Sequence, residues 1–276
     1  MDEKDIKSRR EVLKAGGALA VGYVAVSLLS PTKAESAEKK VPRWAMVIDM
    51  RRCVGCYSCQ VSCKMENSVP MEGYNARVAS VDRGEYPKAE RIFMPVLCNH
   101  CTGAKDKGEV PPCVEKCPEA KTGERRELGG VRYRTGATYK RPDGMTLDDM
   151  SLCIGCYKCI DACPYGARYI HPHIKLTRPD REKDFGVGKC NFCQHRVDKG
   201  LEPACVRNCV GKARIFGDLN DPNSEVSKLI KNNTTKVLKP DEKTEPNIYY
   251  IKLDEKVAKV ENLWMANPKP EKGGKK

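Results

Sequence analysis

The sequence predicts an α+β chain, loop-rich, with short strands and helices gathered around bound metal instead of one large apolar core. Three observations predict it. The chain has 276 residues, but only 6% are aromatic and 32% are charged, so its apolar supply is thin for its length. It carries 16 cysteines, and metal or disulfides can take over part of the work of a core. The cysteines fall into four groups in the order short, long, short, long, the mark of a duplicated unit.

At the N-terminus, Ser8-Arg9-Arg10-Glu11-Val12-Leu13-Lys14 resembles the twin-arginine export motif, with Val12 where that motif usually has Phe. The apolar run that follows, Ala15 to Ser30, is shorter than the roughly 20 residues of a membrane span and is rich in Gly and Ala. Small residues follow at Ala34 and Ala37. Residues 1–37 are therefore expected to be a twin-arginine signal peptide, and an uncleaved anchor is the alternative. That route exports folded proteins, which suits a chain whose metal is inserted before crossing. With no second long apolar run, the mature chain is expected to be soluble or peripheral, periplasmic, and held at the membrane through a partner only.

A charged linker, roughly 35–43, leads into Trp44 to Met50, an apolar strand that runs straight into the first group: Cys53, Cys56, Cys59 and Cys63. The second group is Cys98, Cys101, Cys113 and Cys117. A hairpin is expected over 131–149, with Pro142-Asp143-Gly144 as its turn. It delivers the chain to the third group: Cys153, Cys156, Cys159 and Cys163. Ala167 to Ile170 reads as a short strand. The fourth group is Cys190, Cys193, Cys205 and Cys209, followed by strand candidates at Ala213 to Phe216 and Ile248 to Leu253. The tail from about 266 is expected to be disordered.

Groups one and three have the compact spacing C-x2-C-x2-C-x3-C, and groups two and four have C-x2-C-x11-C-x3-C. A disulfide framework suits an exported chain with an even cysteine count, but three thiols at x2 spacing converge on one point and a disulfide needs two. Zinc uses C-x2-C pairs, normally two of them or one with His partners, and does not need the compact run. That run is the bacterial iron–sulfur signature, complete with Pro164 after the third group. Gly55 and Gly155 let the backbone come close to a cluster. The expected cofactors are four [4Fe–4S] clusters. The net charge of +13 invites a nucleic-acid reading, a zinc-binding basic module. Four oxidised clusters with their thiolates would carry about −2 each, about −8 in all, so most of the excess is offset inside the protein. No nucleic-acid partner is expected.

In bacterial two-cluster ferredoxins the fourth cysteine of a run crosses to the other cluster. Spacing alone allows neighbouring groups to pair, one with two and three with four. It also allows nesting, one with four and two with three. Groups two and three both end in Cys-Pro, which favours nesting.

These four groups resemble the four-cluster iron–sulfur subunit of molybdopterin oxidoreductases, among them dimethyl sulfoxide, polysulfide, thiosulfate and tetrathionate reductases. The stretches WAMVIDMRRCVGC, KCNFCQHRVDKGLEPACVRNCVGKARIFGDLNDPNS and KVLKPDEKTEPNIYYI are especially similar to the tetrathionate reductase members. The match covers about 44–253. The resemblance implies two ferredoxin-like units, one nested in the other: 44–95 plus 185–225 as the first, 96–184 as the insert, and 226–276 as a C-terminal extension with a basic tail. It implies one cluster on Cys53, Cys56, Cys59 and Cys209 and a second on Cys190, Cys193, Cys205 and Cys63. A third falls on Cys98, Cys101, Cys113 and Cys163, and a fourth on Cys153, Cys156, Cys159 and Cys117. It further implies a molybdopterin catalytic subunit and a quinone-reactive membrane subunit as partners. The complex would be an anaerobic respiratory reductase of tetrathionate or another sulfur oxyanion, with arsenate, selenate, polysulfide or quinone-reducing complexes as the alternative.

His100 and His195, beside cysteines, are expected to pack or hydrogen-bond near clusters, and His171 and His173 to lie in a surface loop. Tyr57 and Tyr157, at equivalent repeat positions, should pack beside clusters. Arg51, Arg52 and Lys189 flank first ligands and either raise cluster potentials or are solvated. No phosphate loop, nucleophile–base pair or pterin site is visible, so the chain is expected to conduct electrons and not to be an enzyme by itself.

Overall fold

The computed structural model describes residues 41–258, apart from 174, 176–178 and 181–183. The expected signal peptide and the tail from 266 lie outside the described residues. No helix among the described residues is long and apolar enough to cross a membrane.

Strand β1, Trp44–Asp49, is buried from Ala45 onward, which explains why its sequence is apolar without alternation. It pairs antiparallel with β10 (Arg214–Asp218) and parallel with β12 (Ile248–Ile251). The sheet order is β10-β1-β12-β11, with β11 (Thr235–Lys236) at the edge. The segment beyond 226 thus contributes two strands to the sheet that holds the first one.

The helices are short: α1 (Ser58–Asn67), α2 (Pro112–Glu115), α3 (Lys158–Asp161), α4 (Gln194–Val197), α5 (Ala204–Arg207), α6 (Glu225–Asn232) and α7 (Glu255–Ala258). Successive side chains of β1 point to opposite faces of the sheet. Ala45 and Val47 pack with Ile215, Ile251 and Val226 of α6, and that helix is capped by the Ser224 hydroxyl, which accepts from the Ser227 amide. Met46 and Ile48 face the main core, where the apolar side chains share space with Cys59, Cys63, Cys98, Cys190 and Cys205.

The remaining strands form two-stranded hairpins: β2 (Ala76–Arg83) with β3 (Glu90–Leu97), β4 (Arg125–Leu128) with β5 (Val131–Arg134), β6 (Thr138–Lys140) with β7 (Thr146–Asp148), and β8 (Tyr169–Pro172) with β9 (Phe185–Gly188). The single hairpin expected over 131–149 is therefore a correction. Val131–Arg134 folds back on Arg125–Leu128 through Gly129-Gly130, both at positive φ, while Pro142-Asp143-Gly144 turns the separate hairpin β6–β7. A Gly-Gly pair at positive φ is the two-residue turn whose twist matches antiparallel strands.

The turn of β6–β7 is tied to α4 by charge. Arg141, buried, donates to the buried Asp143 carboxylate at 2.6 and 2.9 Å, and to Asp198, which caps α4, at 2.6 and 2.9 Å. Truncating Arg141 leaves the Asp143 carboxylate buried without its cation, a change that costs ~3–5 kcal/mol. Arg141→Ala is expected to lower the urea midpoint of the iron-loaded protein steeply. An unchanged midpoint would show that the network adds nothing.

Candidate functional site

All sixteen cysteines are free thiols, which removes the disulfide framework. Most sit at the ends of short helices, and helix geometry decides which ones meet. Cys59 and Cys63 lie four residues apart on α1, so they share one face but stand about 6 Å apart along the axis. The pairs Cys113/Cys117, Cys159/Cys163 and Cys205/Cys209 repeat that spacing on or just beyond α2, α3 and α5. Each helix can therefore offer one thiol to each of two neighbouring cavities.

Cys53, Cys56, Cys59 and Cys209 line one small cavity, together with Gly55, Gly211 and Arg214. Cys117, Cys153, Cys156 and Cys159 line another, with Thr138 and Tyr157. The thiol of Cys63 interacts with Cys205 and Cys193 and, less strongly, with Cys59, and Cys190 joins its neighbourhood. Asn67 of α1 points its amide at Cys63 Sγ, 3.7 Å, and at Cys193 Sγ, 3.4 Å. Cys101 faces Cys98, Cys113 and Cys163. Cys190 also feels Cys98, so the last two of these sets adjoin. A separate surface groove is lined by Leu219, Asn220, Pro222 and Lys231 among others, with no cysteine in its lining.

The backbone repeats as the sequence does. Gly55 and Gly155 sit at φ +66° and +67°, and Tyr57 and Tyr157 at φ 58° and 59°, each tyrosine opening its helix. A side chain at Gly55 would overlap the Phe93 ring, and one at Gly155 would press on the Phe185 carbonyl at 3.0 Å. Backbone amides aim at sulfur: Ala213 at Cys209 Sγ, 3.2 Å; Phe192 at Cys190 Sγ, 3.4 Å; and Gly155 at Cys153 Sγ, 3.5 Å. Such bonds favour a thiolate over a thiol. Without metal, burial pushes the Cys163 thiol up to about 11 and the Cys159 and Cys205 thiols up to about 12. A negative group must therefore be held there by something more than solvent.

The fit to an anionic iron–sulfur cluster is tested by two arginines. Arg168 and Arg214 are 1% and 2% exposed. Neither forms an ion pair with a carboxylate of the described residues, and one guanidinium nitrogen of each, Nη2, has no hydrogen-bond partner there. Buried charges are normally paired. Burial opposes the charge on Arg168, but the thiolates of Cys113, Cys159 and Cys98 outweigh it and raise its pKa. For Arg214, Cys59 and Cys205 do the same. The donor set fits: sulfur anions are the main countercharge of both cations, with Asp148 adding to Arg168 at longer range. Among the described residues, no three His, Cys, Asp or Glu side chains converge closely enough for a single ion.

The histidines fall where packing puts them. His100 is 0% exposed, stacks on Phe192 with ring centroids 3.6 Å apart, and accepts from the Thr146 amide through Nδ1 at 3.1 Å. Burial, with Lys189 and Arg168 nearby, holds it well below its ordinary range, so it stays neutral. His195 meets Glu66 at 2.7 Å on the surface, and His171 and His173 lie on or beside β8. Arg51 and Arg52 are exposed, one bound to Asp49 and the other to the Gly211 carbonyl, while Lys189 is buried. Sequence reasoning missed Asn67, Arg168 and Arg214. The arginines had a signal: each stands five residues after the last cysteine of its group, in CPYGAR and CVGKAR.

A family described as the 4Fe-4S dicluster domain matches residues 89–219. A tetrathionate reductase subunit of Salmonella typhimurium is 36% identical over 258 residues, covering 90% of this chain and 89% of the relative. The chain belongs to the iron–sulfur subunits of molybdopterin oxidoreductases. The iron–sulfur subunit of arsenate respiratory reductase from a Shewanella species is 35% identical over 248 residues, 76% of this chain and 96% of the relative. A selenate reductase subunit of Mesobacillus selenatarsenatis is 36% identical over 232 residues, 76% and 72%. As an iron–sulfur subunit, the protein binds [4Fe–4S] clusters and transfers electrons within a multi-subunit oxidoreductase, and catalysis belongs to another subunit.

Proposed function

We propose that this iron–sulfur subunit passes single electrons through four [4Fe–4S] clusters between a quinone-reactive membrane subunit and a molybdopterin catalytic subunit. The observation that carries the reading is the crossing of thiols between groups: Cys209 beside Cys53, Cys63 beside Cys193 and Cys205, Cys163 beside Cys101, and Cys117 beside Cys153. It supports the ligand sets Cys53, Cys56, Cys59 and Cys209; Cys63, Cys190, Cys193 and Cys205; Cys98, Cys101, Cys113 and Cys163; and Cys117, Cys153, Cys156 and Cys159. It equally supports two ferredoxin-like units, the second inserted in the first. The nearness of Cys190 to Cys98 supports one row of the four sets.

The complex is an anaerobic respiratory reductase of tetrathionate or a similar sulfur oxyanion, working on the periplasmic face of the membrane after twin-arginine export. The substrate belongs to the catalytic partner, and the named arsenate and selenate relatives fall within one percentage point of the tetrathionate one in identity. Anaerobic purification is expected to yield a brown protein with about 16 irons per chain, four for each cluster. About 8 irons, or zinc in their place, would sink the four-cluster reading. Copurification of a molybdenum-containing subunit tests the partner.

A further inference from the structure

Three wholly buried cations stand where the sulfur sets adjoin. Arg214 lines the cavity of Cys53, Cys56, Cys59 and Cys209 and interacts with Cys205 and Cys63 of the next set. Its only side-chain hydrogen-bond contact among the described residues is Met46 Sδ at 3.9 Å. Arg168 donates to Thr138 Oγ1 at 3.1 Å, and Thr138 lines the cavity of Cys117, Cys153, Cys156 and Cys159. From there Arg168 interacts with Cys98 and Cys113 of the adjoining set as well as with Cys159. Lys189 stands between Cys190 and Cys98, at the middle junction. It differs in being directly paired: Asp148, which reaches Arg168 only at longer range, lies 3.5 Å from the Lys189 Nζ, and the Thr146 and Cys190 carbonyls accept from it.

The arginines are repeat equivalents, five residues beyond Cys163 and Cys209, and each enters its place through the strand or turn that follows. A solvated role is closed to them by burial, and neither makes a direct ion pair with a carboxylate among the described residues, although Asp148 acts on Arg168 at longer range. A full positive charge fixed between two anionic groups favours the more negative, reduced state of both.

We propose that Arg214 and Arg168 are the fixed countercharges of the two cluster pairs, each raising the reduction potentials of both clusters that it separates. Lys189, balanced by Asp148, leaves the central junction less positive. An electron leaving one cluster of a pair oxidises it and reduces its neighbour while passing a permanent cation. This rests on the four-cluster reading above.

The test is a redox titration of the iron-loaded protein followed by electron paramagnetic resonance, for the wild type, Arg214→Gln, Arg168→Gln and the two Arg→Lys variants. Removing one charge is expected to move the reduction equilibrium of two clusters by at least tenfold, 59 mV for one electron, toward lower potential. The other two stay put, and Arg168→Gln moves the complementary pair. The lysine variants stay within about threefold of wild type, because the charge remains. Movement of one cluster only, of all four equally, or of none overturns the proposal. Should the Gln variants lose iron, full iron in the Lys variants upholds the countercharge, and loss in both overturns it. Iron content and the number of titrating clusters in the wild type test the underlying reading separately.

Discussion

Cys63→Ser is expected to alter the cluster site of Cys190, Cys193 and Cys205 and to leave the site of Cys53, Cys56 and Cys59 unchanged. The sequence neighbours of Cys63 belong to the Cys53 site, so a ligand set read from adjacency predicts the opposite. The geometry of α1 decides between them. Cys59 and Cys63 stand about one turn apart on one face, and an axial rise of about 6 Å over four residues carries Cys63 past the first cavity. There it meets Cys193 and Cys205 and shares the Asn67 amide with Cys193. Burial raises the Cys63 thiol strongly, so little but metal can draw its proton away. A serine oxygen is a harder and weaker iron ligand. One cluster's signal is expected to change or vanish, with a loss of roughly one to four irons from about 16. Cys209→Ser should do the reverse, disturbing the cluster of Cys53. Iron analysis with Mössbauer or paramagnetic resonance spectroscopy separates the two. A Cys63 variant in which only the Cys53 cluster changes would overturn the crossed assignment.

What local sequence carries and what it lacks follow from the range of the interactions. Cysteine spacing, Gly55 and Gly155, and the apolar run of β1 are local, and they were legible. The β4–β5 hairpin was not, because Arg125–Leu128 is a polar, largely exposed strand without an apolar alternation, so Val131–Arg134 had no visible partner before it. Their one clear mark is Gly129-Gly130. The parallel pairing of β1 with β12 joins residues about two hundred positions apart, and no window of sequence contains it. The stack of His100 on Phe192 is a contact between equivalent positions of groups two and four, again beyond local reach. Arg168 and Arg214 were hidden for another reason. A lone arginine is solvated by default, and only the repeated offset from Cys163 and Cys209 marks these two as a pair.

Removing the iron anaerobically with a chelator is expected to unfold the chain, seen as collapse of far-ultraviolet dichroism and loss of amide-exchange protection in β1 and α1. The main core cannot stand alone, because its apolar side chains are interleaved with cysteines facing inward. In the metal-free chain Cys159, Cys163 and Cys205 are protonated at pH 7, since burial lifts Cys159 and Cys205 to about 12 and Cys163 to about 11. They then offer Arg168 and Arg214 no counter-charge. Each uncompensated buried charge costs several kcal/mol, and two together rival the 5–15 kcal/mol of an ordinary domain. Cluster insertion reverses this, displacing the thiol protons and pairing both cations in one step, so that metal-binding free energy becomes folding free energy. If the stranded cations drive the collapse, the double variant Arg168→Met, Arg214→Met should keep more residual structure without iron than the wild type does. The same variant should be less stable than the wild type with iron bound. An iron-free wild type as protected as the loaded one would show that the apolar core suffices. A double variant that collapses as fully as the wild type would leave the missing sulfur–iron bonds, and not the buried charges, as the cause.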